Sequence, residues 1–453
     1  MKALILLTAL TISSFAQEKT LDLTRPENYA NQPVPAYITK DNTPAGNEIT
    51  DLGATLGRVL FYDKRLSRND TISCSSCHHQ QNGFSDTATA SSGVAGTTGR
   101  HSMRLINARF SDEMKFFWDE RAASAEVQAT QPIQDHVEMG FSGTDGDPDF
   151  SDLVTKLSAI EEYQVLFQGV FGEATINEER IGKAIAQFVR SLQSFDSKYD
   201  AGRAIRNEGQ PFPNFTASEN TGKQLFLSPP NNGGAGCAGC HRPPEFDIDP
   251  NTGNNGVSGS LGGGTDFTNT RSPSLRDLVD PNGNPHGSFM HDASLPTLLS
   301  VVNHYNAIPA VVTGLDNRLR QPGPGGGQPQ RLNLSEQEKA DLVDFLETLT
   351  GSSIYTDEKY STPFNTDGSL GLVILPTDNA QMSFSEQDGT QYVTLRSSGV
   401  PNVEYLFQTS PDLDQWSSTS FTASAAGELE IDVPLVEGED QMFYRFAYGV
   451  TAD

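Results

Sequence analysis

The cysteine spacing constrains this chain more than any other feature. Its four cysteines form two pairs, Cys74-Ser-Ser-Cys77-His78 and Cys237-Ala-Gly-Cys240-His241. Each is a CxxCH motif, the attachment signature of c-type haem. Two thiols add across the vinyl groups of one porphyrin, and the next histidine ligates its iron. A thioredoxin-like pair or half of a zinc site accounts for the cysteines, but not for a histidine directly after both pairs. Cys74, Cys77, His78, Cys237, Cys240 and His241 are therefore expected to hold two covalently bound haem c groups, with His78 and His241 as iron ligands.

The start of the chain agrees with haem attachment outside the cytoplasm. Lys2 precedes an apolar run from Ala3 to Phe15, and Ser14 and Ala16 are small residues at a cleavage site. Residues 1–16 read as a secretory signal peptide, which predicts a periplasmic protein. No other apolar stretch is long enough to span a bilayer, so an integral membrane protein is not expected. The formal net charge of −27 repels phosphate backbones and argues against a nucleic-acid partner.

The two motifs lie in a weak internal repeat. Gly57-Arg-Val-Leu-Phe61 precedes the first and Gly222-Lys-Gln-Leu-Phe226 the second. Each half thus reads as an apolar helix leading into a haem site. Helical spacing also marks Leu52, Leu56, Val59 and Leu60. A helix is expected from an Asn177 cap through Ile181, Ala184, Phe188 and Leu192, and another from a Ser335/Glu338 capping box to Gly351. After residue 362 the period changes to two: Tyr392–Leu395, Glu404–Thr409, Glu428–Val433 and Met442–Phe446 alternate as strands. The expected fold is mainly α. Two cytochrome c-like haem domains (17–205 and 206–351) precede a small all-β, sandwich-like domain at 362–453. That last domain contains Trp416 but neither Cys nor His, and no chemistry is visible in it.

Between about residues 50 and 350 the chain resembles the bacterial di-haem cytochrome c peroxidase family, including its MauG branch. Leu56-Gly-Arg-Val-Leu-Phe-Tyr-Asp63, Gly83-Phe84-Ser-Asp86 and Phe117-Trp118-Asp-Glu-Arg121 carry the likeness around the first motif. Glu126-Val-Gln128-Ala-Thr-Gln-Pro132 and Val137-Glu138-Met139 resemble the peroxidatic pocket. Arg271-Ser-Pro-Ser-Leu-Arg276 and Phe289-Met-His291-Asp292 resemble the second domain.

The resemblance implies roles. Glu138 would be the acid/base that moves a proton during peroxide cleavage, Gln128 a hydrogen-bonding partner of peroxide or water, and Pro132 a non-coordinating wall. Trp118 would relay electrons between the haems. Tyr305 stands where peroxidases of the family place a ligating Met and where the MauG branch has a Tyr; His304 and Met290 are the rival ligands. A phenolate favours higher iron oxidation states. The loop Ser91–Gly99 lacks the histidine that closes the resting first haem in other peroxidases. His101 replaces an Asn that binds calcium between the domains, and His286 and Ser288 stand at carbonyl positions of the same site, so a calcium ion is a weaker implication than the haems. His79 reads as a surface residue, and His136 is assigned to neither pocket nor surface.

The implied reaction reduces hydrogen peroxide to water with electrons relayed from the second haem. The electrons would come from a small cytochrome c or copper protein. In a MauG-like alternative they come from side chains of a partner protein. An electron-transfer cytochrome without peroxide chemistry is the reading from another class, and a homodimer is the family's frequent state.

Overall fold

The computed structural model describes residues 18–448 apart from 249, 272, 310–312, 322–326, 377–379 and 436–441. The expected signal peptide at 1–16 lies outside the described residues. Helices are α1 (Asp51–Tyr62), α2 (Ala125–Thr130), α3 (Phe150–Ser158), α4 (Glu161–Phe171), α5 (Glu178–Ser191), α6 (Lys198–Arg203), α7 (Ala217–Leu227), α8 (Leu298–Asn306) and α9 (Glu336–Glu347). Strands are β1 (Thr20–Asp22), β2 (His241–Arg242), β3 (Asp247–Ile248), β4 (Gly371–Val373), β5 (Gln381–Gln387), β6 (Thr390–Ser398), β7 (Glu404–Ser410), β8 (Ser417–Thr422), β9 (Glu428–Pro434) and β10 (Phe443–Ala447). The protein is helical up to α9, with a C-terminal β region.

The internal repeat is a packing device used twice. At Gly57 a Cβ would collide with the Ala184 carbonyl on α5, and at Gly222 with the Asp341 carbonyl on α9. Glycine at these positions lets the helix backbones touch. One turn later the repeat's phenylalanines meet partners in matching geometry. Phe61–Phe188 and Phe226–Phe345 both have centroids 5.2 Å apart at 60°. Two cores result. One holds Leu56, Phe61, Phe167 and Phe188; the other holds Tyr199, Phe226, Phe246 and Phe345.

Asn177 caps α5 by accepting from Arg180 N, and Ser335 caps α9 with Glu338 returning the bond. The helix expected to run to Gly351 ends at Glu347, with Thr348 as its cap. Leu349 remains fully buried in the turn beyond it.

The strand expectations coincide with β6, β7, β9 and β10. Two antiparallel three-stranded sheets, in the orders β5-β6-β9 and β10-β7-β8, face each other across Val393, Leu395, Ile431, Phe407 and Phe446. This β region is not a free appendage. Val400, Val403, Tyr405 and Leu429 are buried in the same core as α1 and α4, and Gln168 on α4 donates to the Asn402 carbonyl at 2.9 Å. The approach from α9 is also packed inward: Ile354, Tyr360 and Leu370 belong to that core. Near the N-terminus β1 pairs in parallel with β4.

Candidate functional site

Each CxxCH motif sits on a single 3-10 turn. In the first, Cys77 N and His78 N both donate to the Cys74 carbonyl, at 3.2 and 3.0 Å. This gathers the two sulfurs and the imidazole at one cavity wall. Six residues on, Phe84 adopts φ +56°. Its carbonyl accepts His78 Nδ1–H at 3.1 Å, which leaves Nε2 to ligate. The second motif repeats the device. Cys237–Gly239 form the turn, Phe246 has φ +58°, and its carbonyl faces His241 Nδ1 without meeting hydrogen-bond geometry. Both phenylalanines are fully buried.

None of the four sulfurs is in a disulfide. Burial pushes the Cys74 and Cys237 thiols up to about 12, and Cys77 to about 11. Such groups are not thiolates at neutral pH, which disfavours the dithiol redox reading. Two side chains between the motifs supply the complementary charge. Arg104 and Arg271 line both cavities. Arg104 Nε and Arg271 Nε and Nη1 are buried without partners. A buried guanidinium needs an acceptor, and a haem carries two propionates. The thiol pairs, the oriented imidazole and the unpaired guanidinium nitrogens thus fit two c-type haems.

The first cavity brings Gln128, Pro132 and Glu138 together with Cys77 and His78. Gln128 projects from α2, which Ser124 caps by accepting from Val127 N. Burial, then the nearby Asp135 charge, raises the Glu138 carboxyl to about 7; Arg121 opposes this. The loop without histidine grips the same segment. Val94 N donates to the Glu138 carbonyl and Ala95 N to that of Val137, both at 3.1 Å. Gly93 lies so close to the Val137 carbonyl that a Cβ would collide with it. His136 is outside the pocket, bonded to Asp147 at 2.8 Å, and His79 is part-exposed beside Asp86.

In the second cavity Tyr305, on α8, lies with Cys237, Cys240 and His241. Burial and then the two cysteines hold its phenol well above the usual range. Its rivals are otherwise engaged. His304 Nε2 donates to the Asn255 carbonyl at 3.0 Å. Met290 lines the cavity, but its sulfur accepts from Asn255 Nδ2 at 3.3 Å.

Trp118 borders both cavities. Its Nε1 donates to the His101 carbonyl at 2.8 Å, while its own carbonyl accepts from Thr270 N and Arg271 N. One residue thereby joins the two halves. His101 Nδ1 donates to the Ala88 carbonyl at 3.0 Å. Among the described residues no group of three or more His, Cys, Asp or Glu side chains could hold a metal ion. Sequence reasoning missed that Arg104 and Arg271 line the same two cavities; Arg271 lies within the Arg271–Arg276 motif, but its cavity is not legible there.

The helical pairs and twin CxxCH turns define a di-haem c-type cytochrome with a carboxylate pocket. Residues 52–208 match the family model described as di-haem cytochrome c peroxidase. The methylamine utilization protein MauG of Methylophilus methylotrophus is 30% identical over 321 residues, covering 69% of this chain and 86% of that protein. The cytochrome c551 peroxidase of Nitrosomonas europaea is 29% identical over 325 residues, covering 71% and 85%. Among solved structures, a MauG-like protein associated with microbial copper homeostasis superposes with a TM-score of 0.59 at 28% identity, covering 74% of this chain and 99% of that one. The chain belongs to the di-haem cytochrome c peroxidase family and is an oxidoreductase. The β region lies outside the residues that the family model matches.

Proposed function

We propose that this protein is an exported, periplasmic di-haem peroxidase that reduces hydrogen peroxide to water at the first CxxCH site. When bound, haem supplies the iron coordination position for peroxide and the electrons for O–O cleavage. The chain's residues do the rest. Glu138, with a carboxyl near 7, takes the proton from the inner peroxide oxygen and returns one to the leaving oxygen. Gln128 orients the peroxide by hydrogen bonding, and Pro132 keeps that wall free of a competing ligand. Trp118 bridges the two haem cavities as the electron relay, and Tyr305 completes the second iron's ligand set. Arg104 and Arg271 bind the propionates. The boundaries 17–205, 206–351 and 362–453 are the working domain division.

The observation that carries this reading is Glu138, a carboxyl with neutral-range acidity in the cavity that also contains His78 and Gln128. The test is stopped-flow absorbance of the holoprotein mixed with hydrogen peroxide. A fast spectral change in wild type that is lost in Glu138→Gln supports the proposal. A wild type that does not react in the oxidised or half-reduced state makes the protein an electron carrier.

The MauG-like version, in which a partner protein's side chains supply the electrons, draws on two features: Tyr305 in the second cavity and the histidine-free loop at 91–99. In that version the oxidised protein reacts with peroxide without pre-reduction. A small cytochrome or copper protein is the donor in the peroxidase version. The reading requires neither a homodimer nor a calcium ion between the domains, where His101 already engages a carbonyl.

A further inference from the structure

A buried polar cluster lies apart from the peroxide pocket. Tyr355, in the 3-10 turn after α9, is 9% exposed. Its hydroxyl donates to Asp277 Oδ1 at 2.8 Å, and His286 Nε2 lies 3.1 Å from the Tyr355 hydroxyl oxygen. Asp277 is fully buried and His286 is 5% exposed. The Tyr355 and His286 rings face each other at 5.2 Å and 33°.

Through His286 the cluster reaches the second cavity and the turn that follows the first motif. This imidazole lines the cavity of the second CxxCH motif. It also lies 3.4 Å from the Cβ position of Gly83, the neighbour of Phe84, whose carbonyl holds His78. Other tyrosines lack one element or the other. Tyr29 and Tyr62 donate to backbone carbonyls, which cannot take a proton. Tyr37, Tyr163 and Tyr199 bond carboxylates, but those partners do not border these cavities. Tyr355 combines a carboxylate acceptor with a partner on the cavity wall.

We propose that Tyr355 is a redox-active residue that yields one electron to the haem pair after peroxide has oxidised it, its phenolic proton passing to Asp277. The O–H bond of Tyr355 breaks, an O–H bond forms on Asp277 Oδ1, and a neutral tyrosyl radical remains, hydrogen-bonded to His286. One electron from the donor protein and the proton held on Asp277 restore the phenol. Reduction of one peroxide consumes two electrons and two protons, and Tyr355 lends one of the electrons when no donor is docked. Burial of Asp277 raises its carboxyl and so makes it a better proton acceptor.

This inference rests on the peroxide reaction proposed above, and the test separates the two. Full-length holoprotein is mixed with one equivalent of hydrogen peroxide without reductant, freeze-quenched and examined by EPR, with haem absorbance followed in parallel. The expected result is a tyrosine-type radical signal in wild type that narrows with ring-deuterated tyrosine and is abolished in Tyr355→Phe, whose haem absorbance still responds. A responding haem spectrum with no tyrosyl signal, or a signal unchanged in Tyr355→Phe, overturns the inference alone. A haem spectrum that ignores peroxide in every redox state overturns both. If Tyr355→Phe fails to mature, His286→Leu, which removes the donor, decides: loss of the imidazole hydrogen bond raises the largest g-component at high field, and an unchanged g-component refutes the assignment.

Discussion

Replacing Asp135 by Asn tests the acid/base role of Glu138 without touching the carboxyl itself. Glu138 is held near 7 by burial first and by Asp135 second, with Arg121 pulling the other way. Asp135 Oδ1 also accepts from Val137 N at 2.8 Å and Glu138 N at 3.0 Å; an Asn oxygen can keep both bonds while removing the charge. If Glu138 acts as the base toward peroxide, only its carboxylate form is competent. In wild type the bimolecular rate then falls below pH ~7, approaching roughly tenfold per pH unit. Asp135→Asn removes a repulsive charge, so the carboxyl becomes more acidic and the limb moves to lower pH. Arg121→Gln removes an attractive charge and moves it to higher pH. Glu138→Gln loses the limb altogether, with a rate reduced by ~10²–10⁴-fold, the usual worth of a positioned acid/base. Stopped-flow rates at fixed ionic strength across pH 5 to 9 read all four profiles. Limbs that stay put in both charge variants, or that shift in the same direction, refute the assignment.

Three other outcomes follow from the same contacts. Ala at Gly57 or Gly222 places a methyl group on a facing backbone carbonyl, and the melting temperature of either holoprotein should fall by an amount equivalent to ~1–3 kcal/mol. Arg190, 2% exposed, pairs with Glu126 of α2 at 2.5 Å; burial opposes ionisation, but the Arg190 bond and charge prevail and hold the carboxyl at about 2. That depressed carboxyl contributes stability fully above pH ~4.5 and loses it as pH falls toward 2, so Arg190→Ala should cost ~3–5 kcal/mol at pH 7 by denaturant titration and much less near pH 2. If Tyr305 ligates the second iron, Tyr305→Met exchanges a phenolate for a thioether and should raise the second haem's midpoint potential in spectroelectrochemistry; an unmoved potential excludes Tyr305 as the ligand.

Local chemistry was legible in the sequence. CxxCH spacing encodes a complete covalent site within five residues, and capping boxes and strand alternation act over short range, so Ser335, Asn177 and β6 were readable. Glu138 and Gln128 came from resemblance, since an isolated Glu carries no mark of burial; the acidity near 7 emerges only when α2 and the 91–99 loop close over it. The Tyr355 cluster was invisible because its members are far apart in the chain and Tyr355 sits in what reads as a linker. The left-handed Phe84 and Phe246 escaped for the opposite reason. Phenylalanine is a poor residue for that conformation, and in both it turns a carbonyl toward the histidine of a CxxCH motif. The β region read as inert because Val400 and Tyr405 look like ordinary strand residues, and their partners lie on α1 and α4.

That last contact sets an order of events for biosynthesis. Chains are made from the N-terminus, yet the first core is closed by Ile354, Tyr360, Leu370, Val400 and Leu429. The segment carrying Cys74 and Cys77 is thus synthesised long before the residues that seal it. Until residue 429 has emerged, the first core lacks part of its cover. The second core has no such dependence, because its buried residues end at Leu349. Shortening the chain before the β region would therefore remove the closing step of the domain that begins the protein, not merely trim its far end.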